Sequence, residues 1–320
     1  MKETSLIQKL ELRKILNNYL IVIGIIILTV YTCIAEPAFF GKSNLLALLS
    51  QFVPASLIAL GMTAVIVGGY IDLSCAGIFS LMGIVSGLLL NQLGAGAIVL
   101  ILILGGLCGL ADVLILNWCG AKDDSDALFI TFGMQSIFGA MALLINNGNL
   151  VSIKQTSFTK FIGSGTFANI PVSFYIFLIA IIGLQFFMKK TKLGREIYLA
   201  GGNAVAARLS GVNITRVKIV IYVIIGVLAS VAAFVQACRV GSAIPLAGKN
   251  YDTNAILAVA IGGTSLAGGK GGMLNTLLGV ALVTIMLNAL NILGIDTNLQ
   301  SVWKGLILVA AIWIDSRRNK

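Results

Sequence analysis

Residues 44–74 read NLLALLSQFVPASLIALGMTAVIVGGYIDLS. No charged side chain falls between Leu45 and Val67, and the run exceeds the ~20 apolar residues that carry a helix across a bilayer. It stops at Gly68 and Gly69, residues of poor helix propensity. Asp72 and Ser74 then stand where the next apolar run begins, in the place of helix-capping side chains. An ionisable group at that depth is costly and often functional, so Asp72 has two readings: a cap, or part of a pathway.

The rest of the chain repeats this pattern. It is 58% hydrophobic and 11% charged, with a mean hydropathy of +1.01, against roughly 25% charged residues in soluble domains. Apolar windows predict an all-α integral membrane protein with about ten crossings, near 19–36, 45–67, 73–90, 96–117, 127–146, 171–188, 218–238, 254–268, 273–293 and 300–314. The 254–268 window is too short to cross at about 1.5 Å per residue and reads as a half-helix or re-entrant segment. Ten crossings place both termini on one side. If that side is the cytoplasm, sixteen of the 22 Lys and Arg residues fall inside, as the positive-inside rule expects. The net charge of +10 is thus gathered in membrane-flanking loops and does not point to nucleic acid. No linker, charge block or repeat divides residues 1–320, which read as a single transmembrane domain.

Histidine is absent, and Cys33, Cys75, Cys108, Cys119 and Cys238 have no paired spacing. This removes most metal sites and any His-based triad. Bulky residues before Cys33 argue against a lipoprotein signal, so 19–36 is expected to be a retained span. The run AIGGTSLAGGKGG at 260–272 invites comparison with a phosphate loop, but Thr264 stands where the pattern needs glycine and Gly271 where it needs a hydroxyl. It reads instead as a closely packed break between two segments.

The largest inside loop begins KKTKLGREIYLAGGNAVAARLSGVNITRVK at residue 189, with seven basic residues and one acid. Asn203 is a good N-cap, Ala204–Ser210 favours helix and Gly211 is a natural stop. Helices this short are marginal alone, so this one needs a surface to pack on. Val205 and Leu209 share a face, which suits either a lid on its own bundle or a plug for a partner's groove.

Here the chain resembles a known family. LGREIYLAGGNAVAARLSGVN is similar to the cytoplasmic coupling loop of permease subunits of ABC sugar importers of the ribose, galactose and xylose class. The 44–74 run resembles the family's early spans, and AILAVAIGGTSLAGGKGG with LNALNILGI its C-terminal third. The resemblance implies a ten-helix fold like that of the vitamin B12 importer, a multi-pass protein of a prokaryotic plasma membrane, with 189–217 as the coupling loop. Gly194, Arg195, Gly201, Gly202, Asn203, Ala206, Ala207, Arg208, Leu209, Ser210 and Gly211 match that loop. It further implies pairing with a like subunit, a cytoplasmic ATPase that binds the ATP, an extracytoplasmic solute-binding protein and a small sugar as cargo, with no cofactor or catalytic residue in this chain. The sequence departs from the family at Cys75–Gly77, at Asp252–Asn254 and in KDDSD at 122–126, which bears on the solute more than on the family.

Polar residues in the apolar spans are the candidates for a sugar pathway: Gln51, Asp72, Ser74, Thr131, Gln135, Asn288 and Asn291. Helix-to-helix hydrogen bonding is the plainer role for each. Asp112 is expected to reach the interface. The same architecture could import a nucleoside, a furanosyl signalling molecule or a branched amino acid. An ion-coupled transporter should show a buried carboxylate network and inverted repeats, and neither is visible in the sequence.

Overall fold

The structure is a computed structural model and describes residues 23, 25–121 and 124–318. The start of the expected first span, Lys2, Lys9, Arg13, Lys14, Lys122 and Lys320 lie outside the described residues. Among the described residues thirteen α-helices follow one another: α1 Ile25–Ala35, α2 Lys42–Val67, α3 Ser74–Leu93, α4 Ala97–Trp118, α5 Asp124–Ile145, α6 Ser157–Gly163, α7 Val172–Lys190, α8 Lys192–Gly202, α9 Ala204–Leu209, α10 Ile214–Val240, α11 Tyr251–Ile261, α12 Met273–Ile292 and α13 Thr297–Arg318. Two short antiparallel ribbons join β1 Val151–Ser152 to β4 Ser242–Ala243 and β2 Thr166–Phe167 to β3 Ile170–Pro171.

Six stretches among the described residues are long and apolar enough to cross a membrane, against ten expected crossings. They are Lys42–Val67, Ser74–Trp118, Ser125–Ile145, Val172–Lys190, Ile214–Val240 and Met273–Ile292. The second holds both α3 and α4, which meet at a single turn, Gly94–Gly96. The chain is therefore a multi-pass, almost wholly helical membrane protein. The 254–268 window resolves into α11, eleven residues long and about 16 Å at helical rise. That is half a bilayer core, as the window's length predicted. The loop ahead of α11 dips into the bundle, where the Gly248 amide donates to Ser80 Oγ at 3.0 Å and Tyr251 stacks on Phe79 at 4.4 Å.

The centre of the bundle is α10, packed on α4, α2 and α3. Asn213 starts it by accepting from the Arg216 amide, and Gly241 ends it with a left-handed φ of 75°. Between helices in lipid there is little hydrophobic drive, so close approach and hydrogen bonding have to hold them. The α4–α10 crossing meets this need with small residues. Gly105 and Gly109 of α4 lie on Gly226, Ser230 and the Tyr222 carbonyl of α10, with no room for a side chain.

A methyl group on Gly109 would land on the Tyr222 carbonyl oxygen, whereas one on Gly183 meets nothing. Gly109→Val is therefore expected to cost about 1–3 kcal/mol of overpacking, read as a lower thermal unfolding midpoint in detergent. Gly183→Val serves as the control. Equal midpoints for the two variants would show that α4 and α10 do not touch there.

Candidate functional site: a polar seam and a surface helix

Where α2 gives way to α3, four side chains with no solvent exposure form a knot: Asp72, Ser74, Asp112 and Thr131. Asp72 Oδ1 accepts the Ser74 amide at 2.7 Å from the residue before the N-cap, Leu73, which itself makes no side-chain capping bond. The Ser74 hydroxyl donates to Asp112 Oδ2 at 2.7 Å, tying α3 to α4. The Leu73 amide donates to Thr131 Oγ1 at 3.1 Å, and that hydroxyl donates back to the Ala127 carbonyl, tying in α5. Asp112, expected at the interface, is thus fully buried, because α3 folds back along α4 and places Ser74 beside it. Asp72 Oδ2 and Asp112 Oδ1 are buried with no hydrogen-bond partner among the described residues. A buried carboxylate pair not visible in the sequence is present here.

One turn along α5, on the same face as Thr131, Gln135 Nε2 donates to Asp252 Oδ2 of α11 at 3.2 Å. Gly77 of α3 makes the approach possible, since a Cβ there would lie 2.9 Å from the Gln135 Cα. Beside this pair opens a cavity of about 440 Å³ walled by Ser80, Phe132, Gln135, Ser136 and Lys249. The knot and the cavity, whose mainly apolar wall carries these few polar groups, together make a seam between α3, α4, α5 and α11.

Four of the seven pathway candidates fall in this seam: Asp72, Ser74, Thr131 and Gln135. The other three lie apart from it. Asn288 and Asn44 exchange amide hydrogen bonds at 3.0 Å between α12 and α2, and Asn291 accepts from Gln300 Nε2 of α13 at 2.8 Å. Gln51 is half-buried on α2, about 24 Å along the helix from Val67. Asp252 belongs to the seam and appeared in the sequence only as a departure from a motif; α11 is too short for the periodicity to show which face Asp252 takes.

The loop after α7 forms two helices, one unforeseen. α8 is capped by Thr191, whose hydroxyl accepts the Gly194 amide at 3.0 Å; Thr followed three residues later by Gly hides this signal because the usual capping acid is missing. The Tyr198 hydroxyl donates to the Gly271 carbonyl at 3.0 Å, and partial burial raises its pKa, which keeps the proton on. α9 matches the sequence reading: Asn203 Oδ1 accepts the Ala206 amide at 2.9 Å and Gly211 closes with φ 84°. Ala207 is its buried residue, while Val205 and Leu209 are 72% and 86% exposed. The apolar face of α9 therefore points away from the bundle, which removes the lid reading.

The profile of the family described as branched-chain amino acid transport system / permease component matches residues 44–312. The chain belongs to this permease family. The ribose import permease RbsC of Bacillus subtilis (strain 168) is 35% identical to the permease over 299 residues, covering 93% of this chain and 92% of the relative. RbsC of Escherichia coli (strain K12) is 34% identical over 307 residues, covering 93% of each. The D-allose transport system permease AlsC of the same organism is 33% identical, covering 92% of this chain and 90% of the relative. No solved structure matches the permease.

In the seam, Ser74→Ala removes the donor to Asp112 and leaves a further buried acceptor unpaired. The expected cost is about 1–3 kcal/mol of stability. Asp112→Asn keeps the shape and the acceptor for Ser74 while removing a buried ionisable group, and it is expected to unfold at or above the wild-type midpoint. An Asp112→Asn midpoint below that of the wild type would show that the fold needs the Asp112 carboxyl itself.

Proposed function

We propose that this permease is the transmembrane subunit of an ATP-driven importer that carries a monosaccharide, a ribose-like pentose or a hexose, across the plasma membrane. The observation that carries this is the likeness to ribose and D-allose import permeases over more than nine-tenths of the chain. ATP is bound and hydrolysed in partner subunits, and an extracytoplasmic binding protein delivers the sugar. The permease works as a pair with a like subunit, each a single domain over residues 1–320.

In this reading α3 and α4 are separate crossings, and α1, α13 and the half-length α11 together with the glycine-rich run that follows it complete ten, of the vitamin B12 importer kind. An even number puts both termini on one side. The basic loop that holds α8 and α9 supports the cytoplasm as that side. α9 then presents Val205, Arg208 and Leu209 to the ATPase, with Gly194, Arg195, Gly201, Gly202, Asn203, Ala206, Ala207, Ser210 and Gly211 shaping and placing it. A sugar needs donors and acceptors beside an apolar face, but transport also needs release, so a few partly exposed groups serve better than a rigid cage. Gln135, Ser136, Lys249 and the Phe132 ring around the cavity answer that description. Binding and release of ATP would bias a two-state equilibrium that opens the seam to one side or the other.

Reconstitution with its ATPase and binding protein in liposomes tests the reading. ATP-dependent uptake of labelled pentoses or hexoses is expected, and uptake of a nucleoside or amino acid with no sugar would overturn the substrate class. Proline at Ala206 deletes the amide that Asn203 caps, and Arg208→Glu reverses the exposed charge. Both are expected to insert normally and to lose at least tenfold in substrate-stimulated ATP hydrolysis. Full stimulation in either would remove α9 from coupling. Gln135→Ala is expected to raise the half-saturating sugar concentration for uptake severalfold while the protein stays folded, and an unchanged uptake curve would take Gln135 off the pathway.

A further inference from the structure

Three glycine-bearing segments meet backbone to backbone beneath α9. Gly201, near the end of α8, lies two residues before the Asn203 cap, and a Cβ built on it would land on the Val67 carbonyl and 2.8 Å from the Gly269 amide. That amide donates to the same Val67 carbonyl at 2.9 Å. A Cβ on Gly69 would lie 3.1 Å from the Gly201 Cα, and one on Gly268 would lie 2.7 Å from the Gly201 carbonyl and 2.9 Å from the Gly69 Cα. Gly69, Gly268 and Gly269 take left-handed φ values of 82°, 84° and 70°, which side chains resist. The Tyr198 hydroxyl adds a bond from α8 to Gly271.

Two arms lead from this junction into the bundle. Gly69 is three residues from Asp72, whose knot holds the start of α3 to α4 and α5. Gly268 and Gly269 lead back along the glycine-rich run to α11, whose Asp252 takes the Gln135 amide beside the cavity. One arm reaches the α3 and α5 walls of the cavity, and the other reaches α11. A contact made by side chains can absorb a small displacement by changing rotamers. Backbone in contact with backbone has no rotamer to change.

We propose that Gly69, Gly201, Gly268 and Gly269 are the positioning residues that transmit movement of α9 to the α3 and α5 walls of the cavity and to α11 beside it, so that ATP use and solute movement stay in step. This rests on the reading that α9 docks on an ATPase. The junction also gives the run AIGGTSLAGGKGG its role: its glycines allow a backbone contact, and no phosphate is involved.

The test uses the full permease with its ATPase and binding protein in liposomes, reading labelled ribose moved per ATP hydrolysed. Tyr198→Phe removes one bond across the junction without adding bulk and is expected to cut that ratio at least threefold, with ATPase co-purification and basal hydrolysis unchanged. Gly201→Ala, where the added methyl has no space, is expected to cut it at least tenfold, and Gly183→Ala on α7, where it has open space, to leave it unchanged. A wild-type ratio in Tyr198→Phe, or in a Gly201→Ala protein that assembles, overturns the proposal. If Gly201→Ala fails to assemble, Tyr198→Phe decides alone. Failure of the unaltered permease to bind the ATPase would instead overturn the docking reading.

Discussion

A chain that stops being helical inside an apolar bundle has to place its freed backbone groups on new partners, since lipid offers none. The break at Gly68–Leu73 meets this demand from four directions. The Gly69 and Tyr70 amides turn back to the Ile66 and Val65 carbonyls, the Leu73 amide goes to Thr131, and the first amide of α3 goes to Asp72. The Val67 carbonyl, orphaned at the end of α2, is taken by Gly269 from a segment two hundred residues away. Two of these partners, Thr131 and Gly269, belong to other elements, so satisfying one short break draws α5 and the glycine-rich run to a single place.

Small residues do the rest, because helices in lipid gain by packing more than by leaving water. At the α4–α10 crossing this produces a tight, static contact between two long helices. At the junction under α9 the same device joins a surface helix to the interior. The two uses differ in what they join: two long helices side by side in one case, and in the other a chain break that leads to a seam with two buried carboxyls, a Gln135–Asp252 bond and a cavity. The proposed transport cycle needs a bundle rigid in its centre and movable along one seam, and this distribution of contacts provides it.

Much of this was legible in the residues because it depends on neighbours along the chain. Asn203, Ala204–Ser210 and Gly211 specify α9 by cap, propensity and stop, and the structure follows them. The half-length of 254–268 forecast a half-helix, and Asp72 holds the first amide of the helix that it precedes. The misses are equally specific. Asp112 was placed at the interface from its position in the window, but its depth depends on how α3 folds back on α4. α8 was passed over because Thr191 caps it without a partner acid.

The sequence by itself determined the solvent, the helical class, the family and the surface helix, since each is written in local composition or in a contiguous motif. Only the tertiary structure decided that Val205 and Leu209 face outward and that Asn288 is spent on Asn44. It also decided that Asp72, Asp112 and Asp252 border one seam. Hydrogen bonds and close approaches between segments depend on helix rotation and crossing. In uniformly apolar helices there is too little amphipathic pattern to encode either one.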